Sequence, residues 1–304
     1  MLNSRVTSQQ FNREYLRGDL REQEPMSAHT TWRVGGAADV FYVPADKDDL
    51  VNFLRSMPTD IPVFFIGLGS NLLVRDGGIR GVVVKCHKGL SSMQVTEDRE
   101  IYVEAGVACA QIARFCNRNG FVGAEFFAGI PGSMGGALAM NAGAFGGETW
   151  SVVKSVTMID RDGTVSSFQA TDFEIGYRSV ATSPEHWFLS AKLTLDSGDL
   201  DESKSKVSSL LKARGSSQPV QSANAGSVFK NPESDHAARL IEQSGLKGAK
   251  IGGAQISEKH ANFIVNTGHA TADDIEQLIA FIKLEIKQQF DVNLQTEVRV
   301  VGEH

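Results

Sequence analysis

The chain of 304 residues is long enough for one large or two medium domains with a substantial core, and its 41% hydrophobic and 22% charged residues are those of an ordinary globular protein. A formal net charge of -6 argues against nucleic acid or an anionic membrane as the main partner. Cys86, Cys109 and Cys116 form no C-x-x-C pair and leave an odd thiol, so no disulfide framework is expected and a reducing compartment, the cytoplasm, is the expected location.

The first 25 residues contain no apolar signal region, and no uncharged apolar stretch reaches the length of a membrane helix, so no membrane partner is expected. Thr30 to Gly36 (TTWRVGG) leads into a short strand over 38–43, and a Pro and an acidic cluster then start a helix over 47–56. Residues 61–66 are a continuous apolar run between Pro and Gly, the pattern of a buried strand. The run ends in Gly67-Leu68-Gly69-Ser70-Asn71-Leu72, which can present successive backbone N–H groups, with Ser and Asn beside them, to a diphosphate. Leu72 replaces the third glycine of the G-x-G-x-x-G fingerprint and no G-x-x-x-x-G-K-[ST] occurs, so a plain turn is the competing reading.

Strands follow over 81–85 and 101–104, then a helix over 110–119 closed by Gly120, a hairpin of 152–160 with 163–169 around Arg161-Asp162-Gly163, and a strand over 187–195. The composition turns to Ser, Asp, Glu and Lys near 197–206, the expected domain boundary. Beyond it Leu210 is expected at a helix end, and the pattern predicts a short amphipathic helix over 236–243 ended by Gly245 and a long one over 271–290. In the long helix Thr271 is the N-cap, Asp273 and Asp274 occupy the first turn, and Ile275, Leu278, Ile279, Ile282 and Ile286 form the buried stripe. An alternating strand over 292–300 closes the chain.

Residues 124–148, AEFFAGIPGSMGGALAMNAGAFGGE, are the least ordinary stretch, with seven glycines among apolar residues and almost no charge. Phe126, Phe127, Ile130, Met134, Leu138, Met140 and Phe145 are expected to be buried, which excludes a flexible linker. Two readings stay open: a tightly turned core loop, or a backbone stripped of side chains so that its N–H groups approach a ligand such as a phosphate. No H-E-x-x-H, zinc-spaced Cys/His cluster or G-x-S-x-G elbow occurs, and the seven histidines are scattered, so no metal is expected.

Seven motifs occur together and in order: Thr31-x-Arg33-x-Gly35-Gly36; Gly67-x-Gly69-Ser70-Asn71-Leu72; Gly129-Ile130-Pro131-Gly132-Ser133-x-Gly135-Gly136 with Met140-Asn141-Ala142-Gly143-Ala144; Tyr177-Arg178; Ala225-Gly226-Ser227-x-Phe229-Lys230-Asn231-Pro232; Ile251-Gly252-Gly253-Ala254 with His260-Ala261-Asn262; and Glu297-Val298-Arg299. Over about 26–302 the set resembles the UDP-N-acetylmuramate dehydrogenase (UDP-N-acetylenolpyruvoylglucosamine reductase) family, flavoenzymes of peptidoglycan synthesis. The resemblance implies an α+β chain with a two-part FAD-binding domain of the vanillyl-alcohol-oxidase (PCMH) type over 26–198. A smaller α+β substrate-binding domain over 199–304 would follow, its last strand returning to the active site, with 1–25 as an N-terminal segment. It is similar to the short form of the family, because the four tyrosines, Tyr15, Tyr42, Tyr102 and Tyr177, include none on the loop that closes over the substrate in longer members.

The resemblance further implies FAD held by Arg33, Gly67, Gly69, Ser70, Asn71, Leu72, Gly129, Ile130, Pro131, Gly132, Ser133, Gly135, Gly136, Asn141, Ala142, Gly143 and Ala144, with NADPH as reductant. Tyr177, Arg214, Lys230, Asn231 and His260 are implied contacts to a UDP-sugar, and Arg178, Ser227 and Glu297 are the implied catalytic residues. These types suit the chemistry. Hydride delivered to the terminal carbon of an enolpyruvyl ether leaves charge beside a carboxylate, which a planar guanidinium binds bidentately. Protonation of carbon needs an acid, the role the resemblance gives Ser227. Two other functions remain open from sequence: a flavoprotein oxidase of the same domain class, and a nucleotide-sugar-binding regulatory protein without turnover. A monomer is the default expectation.

Overall fold

A computed structural model describes residues 5–304. They form two compact units, each discontinuous in sequence: the first gathers the described residues up to Glu24, Asp39–Leu68 and Arg80–Lys212, the second Pro25–Ala38, Gly69–Ile79 and Ala213–His304.

The first unit has two sheets. One runs in the order Asp19–Pro25, Ala37–Val43, Ile79–Lys85, Val63–Ile66, its last two strands parallel. The expected strands at 38–43, 61–66 and 81–85 are its members, and helix α1, Lys47–Ser56, packs with it. Asp46 caps α1 by accepting from Asp49 N, and Leu50, Phe53 and Leu54 on one face enter a core with Val40, Tyr42, Val82 and Val84. The first residues are integral to this core. Phe11 is buried on Phe53, and the fully buried Asp49 carboxylate accepts from Arg17 N and Ala45 N at 2.8 Å and from the Tyr42 hydroxyl at 2.5 Å. Burial, then the bond to Asp49, pushes the Tyr42 phenol pKa up.

The other sheet is antiparallel, in the order Val165–Gln169, Val153–Asp160, His186–Leu193, Ile101–Glu104, Met93–Val95. The expected hairpin around Arg161-Asp162-Gly163 supplies its edge. Helix α2, Cys109–Arg118, buries Cys109, Ile112, Ala113 and Cys116 against this layer, and Gly120 follows its end at φ +86°. All three cysteines are buried free thiols, with burial pushing Cys86 and Cys116 up to about 12. Helix α3, Met134–Ala139, with the two-residue strands Gly143–Ala144 and Gly147–Glu148, is made from the glycine-dense stretch. Phe126, Phe127, Ile130, Met134 and Leu138 are buried as expected, but Met140 is only partly buried and Phe145 is 38% exposed. Phe145 and Gly146, at φ +56° and +83°, form the two-residue turn of the 143–148 hairpin, and a side chain at such a tip projects from the core.

The second unit contains a three-stranded meander, Lys250–Ile251, Ala254–Ile256 and Ile264–Asn266, and a parallel pair, Leu72–Val74 with Arg299–Val301. Helices α5, Ala237–Gln243, and α6, Ala272–Phe290, cover this unit's core. α6 follows its sequence signature: Thr271 and Asp274 make a reciprocal capping box and the five predicted residues of the stripe are buried. Asp76 adds a bidentate cap, accepting from Ala272 N and Asp273 N at 3.0 Å. Residues 25–38 belong here because fully buried Trp32 donates from Nε1 to Ile264 O at 2.8 Å while its carbonyl accepts from Asn266 Nδ2 at 2.9 Å.

Two expectations are corrected. The polar stretch 197–206 is largely the first half of an 18-residue helix, α4, Leu200–Ser217, and the last change of unit along the chain falls at Lys212/Ala213. Asp199 Oδ1 accepts from Asp201 N and Glu202 N at its start, so the acidic cluster is a helix beginning rather than a linker. The alternating run 292–300 is not one strand, since only Arg299–Val301 pairs in register. Its earlier residues bond instead to an irregular segment, Lys230 N to Gln295 O at 2.9 Å and Glu297 N to Val228 O at 2.8 Å, which breaks the ladder that alternation requires.

Because Ile282 is buried in α6 while Leu284 on the same helix is 55% exposed, Ile282→Ala is expected to cost roughly 2–5 kcal/mol and Leu284→Ala less than about 0.5 kcal/mol. Urea melts followed by the red shift of tryptophan emission in proteins retaining only Trp32 would measure both.

Candidate active site

The strand Val63–Ile66 ends at Gly67, and α3 begins at Ser133, its N-cap. The Gly67 backbone lies against the Ser133 side chain: a Cβ on Gly67 would lie 2.0 Å from Ser133 Oγ, so no residue but glycine fits there without displacing the serine. Ser133 is 1% exposed, and its hydroxyl has no hydrogen-bond partner in the protein. Its own backbone is held on the inner side, by a bridge to Ala108, by Cys109 N donating to Gly132 O at 2.9 Å and by Met134 N and Gly135 N donating to Val107 O and Ala105 O at 2.8 Å. On the outer side Gly136 is exposed, and a Cβ there would meet only Ser133 Oγ, at 4.0 Å. A buried hydroxyl that lacks an acceptor, beside a glycine whose missing side chain leaves its approach open, fits an oxygen-rich ligand such as a dinucleotide diphosphate.

Arg178 is fixed from the same stretch. Ile175–Gly176 and Ser179–Val180 make a hairpin whose two-residue tip is Tyr177-Arg178, with Arg178 at φ +52°. Its Nη1 donates to Asn141 O and its Nη2 to Gly143 O, both at 3.1 Å, and Cζ lies 5.1 Å from the centroid of the half-exposed Tyr177 ring. Ala142 and Ala144 lie on the same segment, with Ala142 O accepting from Thr149 N and Oγ1.

Ser227 and Glu297 both belong to the second unit and are brought together by backbone. Ser227 follows Gly226, at φ +76° in a turn closed by Asn224 Oδ1, and the next residue, Val228, accepts from Glu297 N. Asn262 locks that segment: its Oδ1 accepts from Phe229 N and its Nδ2 donates to Phe229 O. Asn71 Nδ2 donates to Glu297 O at 3.1 Å, which ties the Gly69-Ser70-Asn71-Leu72 turn to the same residue. Arg33, exposed at φ +60°, also lies in this unit.

The implied substrate contacts have local partners. Asn231 Oδ1 accepts from Ala237 N at the start of α5, and Arg214 Nε donates to Gln218 Oε1 while burial lowers its pKa. His260 Nδ1 accepts from Asn262 N, its ring packs edge-on to Phe263, and burial lowers its pKa. Lys230 is half-buried, its N–H bound to Gln295 O. Glu148, which the sequence reading passed over, accepts from Asn141 Nδ2 at 3.0 Å. Its signal was legible, since it is the charge that closes an otherwise almost uncharged run. Among the described residues no cluster of His, Cys, Asp or Glu could hold a metal, and no helix is long and apolar enough to cross a membrane.

Residues 38–169, which include Gly67 and Ser133, match the family of FAD binding domains, so the chain is an FAD-dependent oxidoreductase. Residues 218–301 match the C-terminal domain of UDP-N-acetylenolpyruvoylglucosamine reductase. Proteins of that name from Alkalilimnicola ehrlichii and Methylococcus capsulatus are 52% and 53% identical over 94% of this chain, covering 96% and 94% of their own lengths. The crystal structure of the reductase from Thermus caldophilus superposes with a TM-score of 0.81 at 30% identity, covering 94% of this chain and 99% of the other. The chain belongs to the UDP-N-acetylenolpyruvoylglucosamine reductase family.

Removing the Ser133 hydroxyl separates its two roles. An unpartnered buried hydroxyl costs about 1–3 kcal/mol, so Ser133→Ala is expected to leave the melting temperature of flavin-free protein unchanged or higher. Its affinity for FAD, titrated by flavin fluorescence, is expected to fall by about tenfold or more, the worth of one hydrogen bond to a charged oxygen. Unchanged affinity would place the diphosphate elsewhere.

Proposed function

We propose that the chain catalyses reduction of the enolpyruvyl group of UDP-N-acetylglucosamine enolpyruvate to UDP-N-acetylmuramate with NADPH as electron source, in the cytoplasm and as a monomer. The FAD-dependent reduction of this UDP-sugar for peptidoglycan synthesis follows from family membership, which sets aside the oxidase and regulatory readings. Bound FAD supplies a two-electron carrier that accepts hydride from one substrate and gives it to the other. The Gly67 and Ser133 segments would hold its diphosphate. The accompanying division gives flavin binding to 26–198 and sugar binding to 199–304, a functional partition that the folding units cross at 25–38 and 69–79.

The observation that carries the residue roles is the fixed guanidinium of Arg178. Hydride arriving at the terminal carbon of the enolpyruvyl ether drives electron density into the carboxylate, and the intermediate is an enediolate. A cation already held by two carbonyls need not reorganise when that charge develops, so it stabilises the transition state more than the ground state. Ser227 would donate a proton to the neighbouring carbon, its turn fixed by Asn224 and Asn262. Glu297, whose backbone bonds to Val228 and Asn71, would orient the acid or the enediolate. Tyr177, Arg214, Lys230, Asn231 and His260 are assigned to the UDP-sugar.

Arg178→Lys is expected to lose on the order of a hundredfold in kcat, because an ammonium cannot span two carbonyls and a carboxylate as the planar fork does. A variant within about twofold of the parent would remove Arg178 from the chemistry. Ser227→Ala is expected to leave flavin reduction by NADPH unchanged in stopped-flow absorbance and to slow flavin reoxidation by the enolpyruvyl substrate by ~10²–10⁴-fold, the usual loss of a general acid. Equal slowing of both halves would point to a damaged fold instead.

A further inference from the structure

Asn141 is 2% exposed, at φ +44°, and every polar group of its side chain is engaged within the first unit. Its Nδ2 donates to Glu148 Oε2 at 3.0 Å and to Gly176 O at 3.2 Å, and its Oδ1 accepts from Trp150 N at 3.2 Å. Gly176 is the residue directly before the Tyr177-Arg178 tip, and the Asn141 carbonyl is one of the two that hold the Arg178 guanidinium. A single asparagine therefore grips the hairpin at its base through the side chain and at its tip through the backbone. Glu148, paired with Gly143 across the neighbouring hairpin, orients the amide.

The arrangement answers a specific cost. Arg178 at positive φ is strained by about 1–2 kcal/mol relative to glycine, and a two-residue turn carrying that strain is stable only if the surroundings hold it. Asparagine tolerates its own left-handed backbone better than most residues, and its amide offers both donors and an acceptor. We infer that Asn141 and Glu148 are positioning residues for the reaction: together they seat the 175–180 hairpin so that the Arg178 guanidinium is aimed before substrate arrives. This rests on the catalytic role proposed for Arg178, and it moves Asn141 from the flavin contacts to the support of that arginine.

Asn141→Gly tests the side chain alone, since glycine keeps the positive φ and the carbonyl that Arg178 uses. The expected result is normal flavin content, an unchanged rate of flavin reduction by NADPH, and reoxidation by the enolpyruvyl substrate slowed by about a hundredfold, the loss typical of a catalytic group displaced by about 1 Å. Glu148→Ala is expected to slow the same half, and Glu148→Gln, which keeps an oxygen for Asn141 Nδ2, to recover most of that loss. The decisive measurement is the double variant: in Arg178→Ala protein, Asn141→Gly should add no further slowing, because the group it aims is gone. Full multiplicative slowing in that background, loss of flavin from Asn141→Gly, or a rate equal to the parent would each overturn the inference. A normal reoxidation rate in Arg178→Ala alone would instead sink the role proposed for the arginine, so the two failures are distinguishable.

Discussion

A glycine-rich backbone can be buried only if its peptide groups find partners inside the protein, and this constraint shapes residues 124–148 and everything that touches them. Gly132 O, Met134 N and Gly135 N bond to the chain between Ala105 and Cys109, Ala142 O is taken twice by Thr149, and the carbonyls of Asn141 and Gly143 are taken by Arg178. Trp150 Nε1 closes the end of α3 by donating to Leu138 O. One buried side-chain group in the stretch is left over, the Ser133 hydroxyl. A fold that satisfies the rest and leaves that buried hydroxyl unpartnered next to Gly136 has a ligand site built into its backbone accounting.

The same accounting locates strain. Of nine non-glycine residues at positive φ among the described residues, Arg33, Asn141 and Arg178 lie in the motifs that mark the site and Phe145 directly follows one. Each costs energy that ordinary turns avoid by using glycine, so the side chain is required at that position for something else. For Asn141 that requirement is visible in the bonds of its amide to Glu148, Gly176 and Trp150, and for Arg178 in the bonds its guanidinium donates to Asn141 O and Gly143 O. For Phe145 it is contact with the backbone below, since a Cβ on Gly129 would come within 2.4 Å of the Phe145 ring. Arg33 has no comparable explanation in the structure.

In the second unit the ordering principle is different. Three separated pieces of chain are joined by the parallel pairing of Leu72–Val74 with Arg299–Val301, by the Trp32 bonds to Ile264 and Asn266, and by Arg75, which makes a two-point ion pair with Glu276 at 2.7 and 3.0 Å. That pairing sets Glu297 next to the segment that carries Ser227. The irregularity of 291–298 is the means, because a regular strand would spend its N–H groups on a ladder and not on Val228.

Elements governed by local chemistry were legible in the sequence. The capping box and stripe of α6, the acidic start of α1, the hairpin around Asp162-Gly163 and the strand before Gly67 depend on residues a few positions apart, and motif spacing was enough to identify the family, although that strand is an edge with only Ile66 of it buried. The full extent of α4 was not legible, because its face buries only Ser203 and leaves no apolar period to read. The strand over 292–300 was over-read, since alternation records which side chains face inward and says nothing of where the backbone hydrogen bonds go. Neither the seat of Arg178 nor the isolation of the Ser133 hydroxyl could be read from the chain. Both rest on contacts between residues 35 to 66 positions apart, and only the folded backbone determines which carbonyls lie within reach of a guanidinium and which hydroxyl finds none.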